Sequence, residues 1–376
     1  MVRVLLDATA IPANRGGVGR YVDNLIPALS RAGIDLRVVC QPRDVEHLRA
    51  IGNTEPIAAP RSTARVAARL VWEQAGLPTL IRQLKPDVVH APHYTQPLAT
   101  RRPLVITLHD ATFFTSPQAH RSIKGPFFRT ATKLALRRAD CCVVPSKATA
   151  AELVRVAGAA AGRLQVAYLG VDSRVFAPPT ESSIKAIRAK LKVQRYVAFL
   201  GTLEPRKNVP TLIRGWVKAC EGRENPPALV LAGGAGWDDQ VDAAAAAVPP
   251  SLTLIRPGYL PIDELAGLLG GADVVAYPSL GEGFGLPVLE AMACGAAVLT
   301  TRRLALPEVG GDAVAYTEPD DISISTSLAA LLDDDERRAS LSAAAIERAA
   351  GFTWDACAAA HVTAYERAIA ARQAQT

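Results

Sequence analysis

Two neighbouring cations, Arg206 and Lys207, are the first feature of this sequence that indicates binding of an anion. They follow an apolar run that predicts a strand over 196–200, and they precede a predicted helix over 211–220. Backbone N–H groups at the start of a helix attract an anion, and a guanidinium beside an ammonium adds charged donors that suit two phosphate groups. A solvated basic turn is the alternative. The residue types and their position favour a phosphate-binding turn.

A glycine-rich segment over 278–292 joins another predicted strand to a helix and contains the carboxylates Glu282 and Glu290. Pro287 suits the first turn of that helix, and the glycines let the backbone approach a ligand closely. One carboxylate could bind a sugar and the other a ribose, because a carboxylate only accepts hydrogen bonds and paired hydroxyls donate them. For Glu290 the alternative is a capping or solvent-facing helix residue. Together with the cation pair, this spacing is stronger evidence of a site than a lone glycine-rich loop.

A histidine also stands at the end of a predicted strand in the first half of the chain, where His109 follows residues 104–108. A histidine in such a place is more often structural unless it faces a cleft. In a cleft, a neutral imidazole of either tautomer could hydrogen-bond a sugar hydroxyl or a backbone carbonyl. His90 and His93 are interpreted as structural or as lining an acceptor site.

The elements that must position these residues are short buried strands, each followed by turn residues or a helical pattern. This pattern is typical of parallel sheets with crossover helices, and it begins again after the Pro- and Ser-rich segment 177–183. A glycine loop around Gly16 and Gly17 follows the first strand and precedes a predicted helix from Tyr21 to Ala32. The predicted strands are 2–6, 36–40, 88–90, 104–108, 141–144, 196–200, 228–231, 252–256, 273–277 and 297–300. Two doubly wound α/β domains are expected, with a ligand at the carboxyl ends of the strands.

Three sequence segments together resemble one family of enzymes. They are Gly201–Asn208, the EGFGLPVLEAMACG stretch over 282–295, and Leu306-Pro307-Glu308-Val309-Gly310. The chain is similar over nearly its whole length to retaining glycosyltransferases of the GT4 type (glycosyltransferase group 1), which have the GT-B architecture of two Rossmann-like domains facing across a cleft. The resemblance implies an acceptor-binding domain over 1–180, a sugar-nucleotide-binding domain over 181–352, and a C-terminal helix over 353–376 that packs on the first domain.

The resemblance also implies roles for individual residues. Catalytic roles are expected for His109, beside the donor sugar, and for Glu282, near its hydroxyls. The residues expected to bind the donor are Arg206 and Lys207 at the diphosphate, Gly16 and Gly17 near it, Glu290 at the ribose, and the backbone amides of Phe284, Gly285 and Leu286. The acidic run Asp333 to Glu336 has Asp-x-Asp spacing but lies in a predicted helical tail and is interpreted as solvated, so no metal-binding Asp-x-Asp motif is assigned and neither a metal nor another cofactor is expected.

The pieces Pro92-His93-Tyr94 and His109-Asp110-x-x-Phe113 are most similar to family members that handle mannose. The expected reaction therefore moves a hexose, mannose from GDP-mannose, to a saccharide or polyprenyl-linked acceptor. A UDP-sugar donor, for glucosyl or N-acetylglucosaminyl transfer, and a non-enzymatic sugar-nucleotide-binding protein are the alternatives. A nicotinamide oxidoreductase is disfavoured, because Gly16-Gly17-Val18-Gly19 departs from the GxGxxG spacing. A glucan phosphorylase is disfavoured by the chain's length.

Composition excludes several other classes of protein. The 376 residues are 49% hydrophobic and 21% charged, with 27 Gly and 27 Pro, which is a globular balance and excludes collagen, coiled coil and disorder. No run reaches the roughly 18 apolar residues needed to cross a bilayer, and the start lacks a leader pattern, so a cytoplasmic protein is expected. The six cysteines contain no CxxC pair, which disfavours a disulfide framework or a zinc site.

Charge is distributed unevenly between the two halves. Residues 1–180 have 24 Lys and Arg against 12 Asp and Glu, a net +12, whereas residues 181–376 have 18 against 24, a net −6. Such a basic half suits a polyanion, an anionic lipid surface or a phosphorylated partner, and no nucleic-acid partner is expected. Two stretches, 121–138 and 61–72, mix cations with apolar residues at helical spacing. They predict either peripheral contact with the inner face of a membrane or ordinary helices whose apolar side faces the core.

Overall fold

The computed structural model describes residues 1–13, 15–52, 54–115 and 124–374 and divides the chain into two compact units. The first unit contains Met1–Gly170 and Thr353–Thr376, and the second contains Val171–Phe352. The Val171 N–H donates to the Phe352 carbonyl at 3.1 Å, and this bond joins the two ends of the second unit. The Pro- and Ser-rich segment 177–183 lies within the second unit.

The first unit is built on a seven-stranded parallel sheet with the strand order β3-β2-β1-β4-β5-β6-β7. Its strands are β1 (Arg3–Asp7), β2 (Asp35–Cys40), β3 (Ile57–Ala58), β4 (Val88–Ala91), β5 (Leu104–Thr107), β6 (Cys141–Val144) and β7 (Leu164–Val166). The helices between them are α1 (Gly16–Arg31), α2 (Val45–Ile51), α3 (Val66–Leu84), α4 (Thr112–Thr115), α5 (Lys124–Arg138) and α6 (Lys147–Ala157). The strand order reverses between β1 and β4, so the loops after these two strands open at the switch point where such sheets bind ligands.

The second unit repeats this plan with six parallel strands in the order β10-β9-β8-β11-β12-β13. Its strands are β8 (Tyr196–Leu200), β9 (Ala228–Ala232), β10 (Leu254–Gly258), β11 (Val274–Tyr277), β12 (Val298–Thr301) and β13 (Ala315–Thr317). Its helices are α7 (Glu181–Leu191), α8 (Val209–Cys220), α9 (Gln240–Ala246), α10 (Leu265–Gly270), α11 (Leu286–Ala293), α12 (Leu306–Gly310), α13 (Asp321–Leu332) and α14 (Asp335–Ala350). Here the switch point lies between β8 and β11, the strands that precede the two candidate loops.

The last helix, α15 (Trp354–Gln373), belongs to the first unit, where it packs against α1 and against strands β4 to β7. Thr353 caps its start, since the Thr353 hydroxyl accepts from the Ala356 N–H at 3.1 Å. Cys357, His361 and Tyr365 are fully buried and recur every four residues, so they form the helix face that the sheet covers. The C-terminal helix therefore completes the core of the first unit.

The α/β class and the parallel sheets predicted from the sequence are confirmed. The predicted start of the first helix at Tyr21 is wrong, because α1 begins at Gly16 and includes both glycines of the expected loop. Glycine has a low helix propensity, but here Arg15 holds the first turn. Its carbonyl accepts from the Gly19 N–H at 2.6 Å, and its guanidinium is paired with Asp23 and Asp44.

All six cysteines are buried and unpaired. None of the described helices combines the length and the apolar character that crossing a bilayer requires.

Candidate functional site

In the second unit the chain brings the two candidate loops together at the switch point. Strands β8 and β11 are paired in parallel, with Val197 opposite Val274, so the loops after them leave the sheet side by side. The backbone then joins the loops, because the Leu280 N–H donates to the Arg206 carbonyl at 2.8 Å. The Ser279 hydroxyl oxygen also lies 2.9 Å from this carbonyl oxygen. The position of Arg206 is thus fixed by the neighbouring loop as well as by its own.

Glu282 lies between the two cations and accepts from both of them. The Lys207 Nζ is 2.6 Å from one carboxylate oxygen, and the Arg206 Nη1 donates to the other. The first oxygen also accepts from the Tyr277 hydroxyl at 2.9 Å and from the Ser279 hydroxyl at 3.0 Å. Glu282 and Lys207 are each only 6% exposed, so this cluster is a buried one. We call Arg206, Lys207, Glu282, Tyr277 and Ser279 the cation cluster.

The charge of the cluster is set by competition between burial and ion pairing. Burial by itself would raise the pKa of Glu282, but the charges of Arg206 and Lys207 outweigh it and lower this pKa from 4.5 to about 2. Burial and the adjacent Arg206 lower the pKa of Lys207, whereas Glu282 opposes them. Glu282 is therefore ionised at neutral pH.

Arg206 is the most exposed of the three charged side chains in the cation cluster. Its side chain is 21% exposed against 7% for Lys207, and its Nε donates to Glu204 at 2.9 Å. Both oxygens of Glu282 already accept from cations in this structure, so the carboxylate orients the two cations. Contact of Glu282 with the sugar of a donor, as the resemblance implies, stays a prediction.

Helix α11 begins four residues after Glu282, so the backbone N–H groups of its first turn follow the cation cluster closely in sequence. Gly285 occupies the N-cap position with a φ of +108°, a conformation that favours glycine, and Leu286 is the first helical residue. Phe284, which precedes them, is only 4% exposed. Glu290 lies in the second turn of α11 and is 2% exposed, which excludes the solvent-facing alternative. Its contact with a ribose stays a prediction.

In the first unit His109 directly follows Leu108 at the carboxyl end of β5. Its Nε2 lies 2.8 Å from the Pro92 carbonyl, which can only accept, so the ring proton is on Nε2 and Nδ1 is an acceptor. Burial lowers the pKa of His109, and the imidazole is neutral. The Tyr21 ring stands edge-on to it, with ring centroids 5.0 Å apart and planes at 81°. Either tautomer was open from the sequence, and the Pro92 carbonyl selects one.

The other predicted residues of the first unit have different surroundings. Gly16 and Gly17 are exposed in the first turn of α1, where an added Cβ would meet nothing within 4 Å. His90 is fully buried and has both ring nitrogens within 2.9 Å of hydroxyl oxygens, of Thr107 and Tyr365. The His93 ring packs edge-on against Tyr94 and Phe128. Of the two interpretations of His90, structural or lining an acceptor site, its burial and its two hydrogen bonds favour the structural one.

The two basic stretches differ from each other. In the stretch 61–72, Arg69 is buried and pairs with Glu73 at 2.8 Å, so a lipid-facing role for Arg69 is wrong. In α5 the cations Lys133 and Arg137 are exposed, and Phe127 is 43% exposed. Arg121 lies outside the described residues.

Sequence reasoning missed Tyr277 and Ser279, whose hydroxyls hydrogen-bond Glu282. It also missed Tyr21, whose ring packs against His109, and His361, which hydrogen-bonds Tyr21. Tyr277 ends a predicted strand, and a side-chain hydroxyl at the end of a strand is the one feature of the sequence that could have indicated its place in the site. The pairing of Tyr21 with His361 joins residues 340 positions apart, so no local pattern could have indicated it.

Comparison with known proteins gives the class to which this chain belongs. Residues 15–175 match the family model described as Glycosyltransferase Family 4, and residues 180–348 match the model described as Glycosyl transferases group 1. O-antigen chain mannosyltransferase B of Escherichia coli is 32% identical over 290 residues, which are 76% of each chain. D-inositol 3-phosphate glycosyltransferase of Corynebacterium diphtheriae is 27% identical over 382 residues, 91% of this chain and 88% of that one.

Solved structures agree in fold. Sucrose-phosphate synthase from Thermosynechococcus elongatus superposes with a TM-score of 0.77 at 20% identity, covering 99% of this chain and 100% of that one. Anabaena HepE in complex with UDP-glucose gives 0.73 at 20% identity, covering both chains fully. The chain therefore belongs to the group 1 glycosyltransferases and is a transferase enzyme. The predicted GT-B fold class is confirmed.

The cation cluster generates a prediction about stability. Glu282→Gln leaves the buried Lys207 without its charged partner and leaves Arg206 paired with Glu204 alone. We expect the free energy of unfolding at pH 7 to fall by about 3 kcal/mol in urea titrations. The folded pKa is the lower one, so the Glu282 charge stabilises the protein above pH 4.5. This contribution disappears as the pH falls toward about 2. The difference between the two proteins should shrink over the same range.

Glu204→Gln is the matched control, because Glu204 also pairs with Arg206 but is more exposed. It should cost less than about 1 kcal/mol. Equal losses from both variants, or a Glu282→Gln difference that does not change with pH, would contradict the assignment of Glu282 as the buried anchor.

Proposed function

We propose that this enzyme transfers mannose from GDP-mannose to a hydroxyl of a saccharide or polyprenyl-linked acceptor, with retention of the anomeric configuration. The observation that supports it most is the cation cluster at the switch point of the second sheet. Its two cations are held by a buried carboxylate, and the backbone N–H groups at the start of α11 follow in sequence. Together these donors suit the binding of a diphosphate.

The chemistry requires such a place. When the bond between the anomeric carbon and the diphosphate oxygen breaks, negative charge grows on the leaving diphosphate. Preorganised donors aimed at that charge are worth roughly 3 to 4 kcal/mol each in other enzymes. Arg206 and Lys207 are preorganised because Glu282 fixes them before any ligand arrives. Their role is to bind the diphosphate and to stabilise its departure.

Retention is proposed to occur by front-face attack. A double displacement needs a carboxylate nucleophile below the sugar, and both oxygens of Glu282 are held by Arg206 and Lys207. In front-face attack the acceptor oxygen bonds to the anomeric carbon on the side from which the diphosphate leaves. The hydroxyl proton passes to the diphosphate oxygen. His109, neutral and with Nδ1 as an acceptor, is proposed to bind a hydroxyl of the donor sugar.

The identity of the sugar is supported by the mannosyltransferase relative and by the two histidine-containing pieces of the first unit. A UDP-sugar remains the alternative donor, because other relatives are inositol 3-phosphate glycosyltransferases and the HepE structure contains UDP-glucose. A sugar-nucleotide-binding protein without activity is disfavoured by the presence of both His109 and Glu282.

We also propose that the protein acts in the cytoplasm and attaches reversibly to the inner face of the membrane through α5. Lys133 and Arg137 are one helical turn apart and exposed, and Phe127 offers an apolar side chain toward the start of the same helix.

The proposed reaction is tested by measuring release of GDP from GDP-mannose, with octyl α-mannoside as the acceptor probe. We expect consumption of GDP-mannose in preference to UDP-glucose and an α-linked product by NMR. Arg206→Ala should lower kcat by about a hundredfold or more. The control Arg214→Ala, an exposed arginine on α8, should leave kcat unchanged. Preference for UDP-glucose would contradict the donor assignment, and a β-linked product would contradict front-face attack.

Membrane attachment is tested by flotation with vesicles of phosphatidylglycerol and of phosphatidylcholine. We expect flotation with the anionic vesicles at low salt and its loss at high salt. A basic residue near an anionic surface contributes about 1 kcal/mol, so reversing Lys133 and Arg137 to Glu should weaken binding by about thirtyfold or more. Reversal of Lys185 and Arg214, exposed cations of the second unit, should have little effect. Absence of flotation at low salt would refute the attachment.

A further inference from the structure

A chain of buried hydrogen bonds runs through the first unit behind His109. It joins Tyr365, His90, Thr107, Tyr21 and His361 in that order and ends at the Cys357 carbonyl. Each of the five bonds is 2.7 to 2.9 Å long. None of these side chains is more than 1% exposed, so water does not compete for their polar atoms. We call this set the hydrogen-bond chain.

The direction of every bond follows from the last one. The Cys357 carbonyl can only accept, so the His361 Nδ1, 2.8 Å away, must hold a proton. Burial lowers the pKa of His361 to about 4, so the ring is neutral at pH 7 and its Nε2 is an acceptor. The Tyr21 hydroxyl therefore donates its one proton to His361. The Tyr21 oxygen in turn accepts the one proton of the Thr107 hydroxyl.

The same accounting continues to the other end. The Thr107 oxygen, having donated its proton, must accept from the His90 Nε2 at 2.9 Å. Burial lowers the pKa of His90 well below its usual value, so this ring is also neutral and its Nδ1 accepts from the Tyr365 hydroxyl. All five bonds point the same way. The two histidines must be opposite tautomers, with the proton on Nε2 in His90 and on Nδ1 in His361.

The hydrogen-bond chain links the C-terminal helix to the strand end that carries His109. Cys357, His361 and Tyr365 lie on one face of α15. The hydrogen-bond chain therefore begins on this helix at Tyr365 and ends on it at Cys357. Thr107 is the last residue of β5, two positions before His109. Tyr21, on α1, stands edge-on to the His109 ring at 5.0 Å. The hydrogen-bond chain thus fixes both Thr107, just before His109, and the Tyr21 ring against which His109 packs.

We propose that Tyr21 and His361 are positioning residues for His109. His361 fixes the Tyr21 hydroxyl, and the Tyr21 ring holds the imidazole in the orientation set by the Pro92 carbonyl. Removing one member takes one hydrogen bond from each of its buried neighbours, which loosens the Tyr21 ring. The part of the proposal that concerns catalysis rests on the proposed function of His109.

Nitrogen-15 NMR of histidine-labelled full-length protein tests the hydrogen-bond chain without any substrate. We expect the rings of His90, His109 and His361 to be neutral at pH 7, with the proton on Nε2 in His90 and His109 and on Nδ1 in His361. The same tautomer in His90 and His361, or a charged ring in either, would overturn the assigned direction of the chain.

The positioning role is tested by His361→Ala, in which the ring that accepts from Tyr21 is removed. We expect the His109 ring signals to shift or broaden and the rate of GDP release from GDP-mannose to fall by about tenfold or more. His361→Gln keeps one donor and one acceptor, so it should restore much of the wild-type signal and rate. Tyr21→Phe is a second variant that breaks the chain at its next member if His361→Ala does not fold.

Tyr196→Phe is the matched control, because it removes a fully buried hydroxyl that donates to the Leu268 carbonyl in the second unit. It should lower stability without changing the His109 signals. Unchanged His109 signals in His361→Ala and Tyr21→Phe, or equal effects of His361→Ala and His361→Gln, would overturn the positioning role. The His109 signals are recorded without a sugar-nucleotide donor. They therefore test the positioning of His109 even if the protein does not use GDP-mannose.

Discussion

The ionised carboxylate of Glu282, buried between Arg206 and Lys207, is the interaction on which the candidate site depends. A buried charge costs several kcal/mol unless it is paired and fully hydrogen-bonded, and here two cations and two hydroxyls meet that requirement. In return the carboxylate fixes the two cations and joins the loops that follow β8 and β11. A diphosphate would therefore meet charges already in place and would not have to order two long side chains.

The two units position their candidate residues by different physical means. In the second unit, opposite charges do so, and the charges of Arg206 and Lys207 lower the pKa of Glu282. In the first unit, neutral groups do so through the hydrogen-bond chain, whose direction is fixed by one carbonyl. Lone histidines and a buried carboxylate are poor predictors of function by themselves. Here the residues that orient His109 and Glu282 are what support a functional role for them.

Most of the fold could be predicted from the sequence because parallel strands buried on both faces are continuous apolar runs. The strands Ile57–Ala58, Leu164–Val166 and Ala315–Thr317 were not predicted, since two or three residues give no usable pattern. Arg206, Lys207 and Glu282 could be assigned to one site from their loops. Their mutual contacts, and those of Tyr21 with His361, could not, because they join residues 75 to 340 positions apart.

Calorimetric titration of GDP and of GMP into the wild-type protein and the Lys207→Met variant tests the central claim most directly. If the cation cluster binds a diphosphate, GDP should bind the wild type at least tenfold more tightly than GMP, a difference of about 1.4 kcal/mol. The variant should lose most of that difference while retaining its binding of GMP. An equal preference for GDP in both proteins, or no preference in the wild type, would contradict the account.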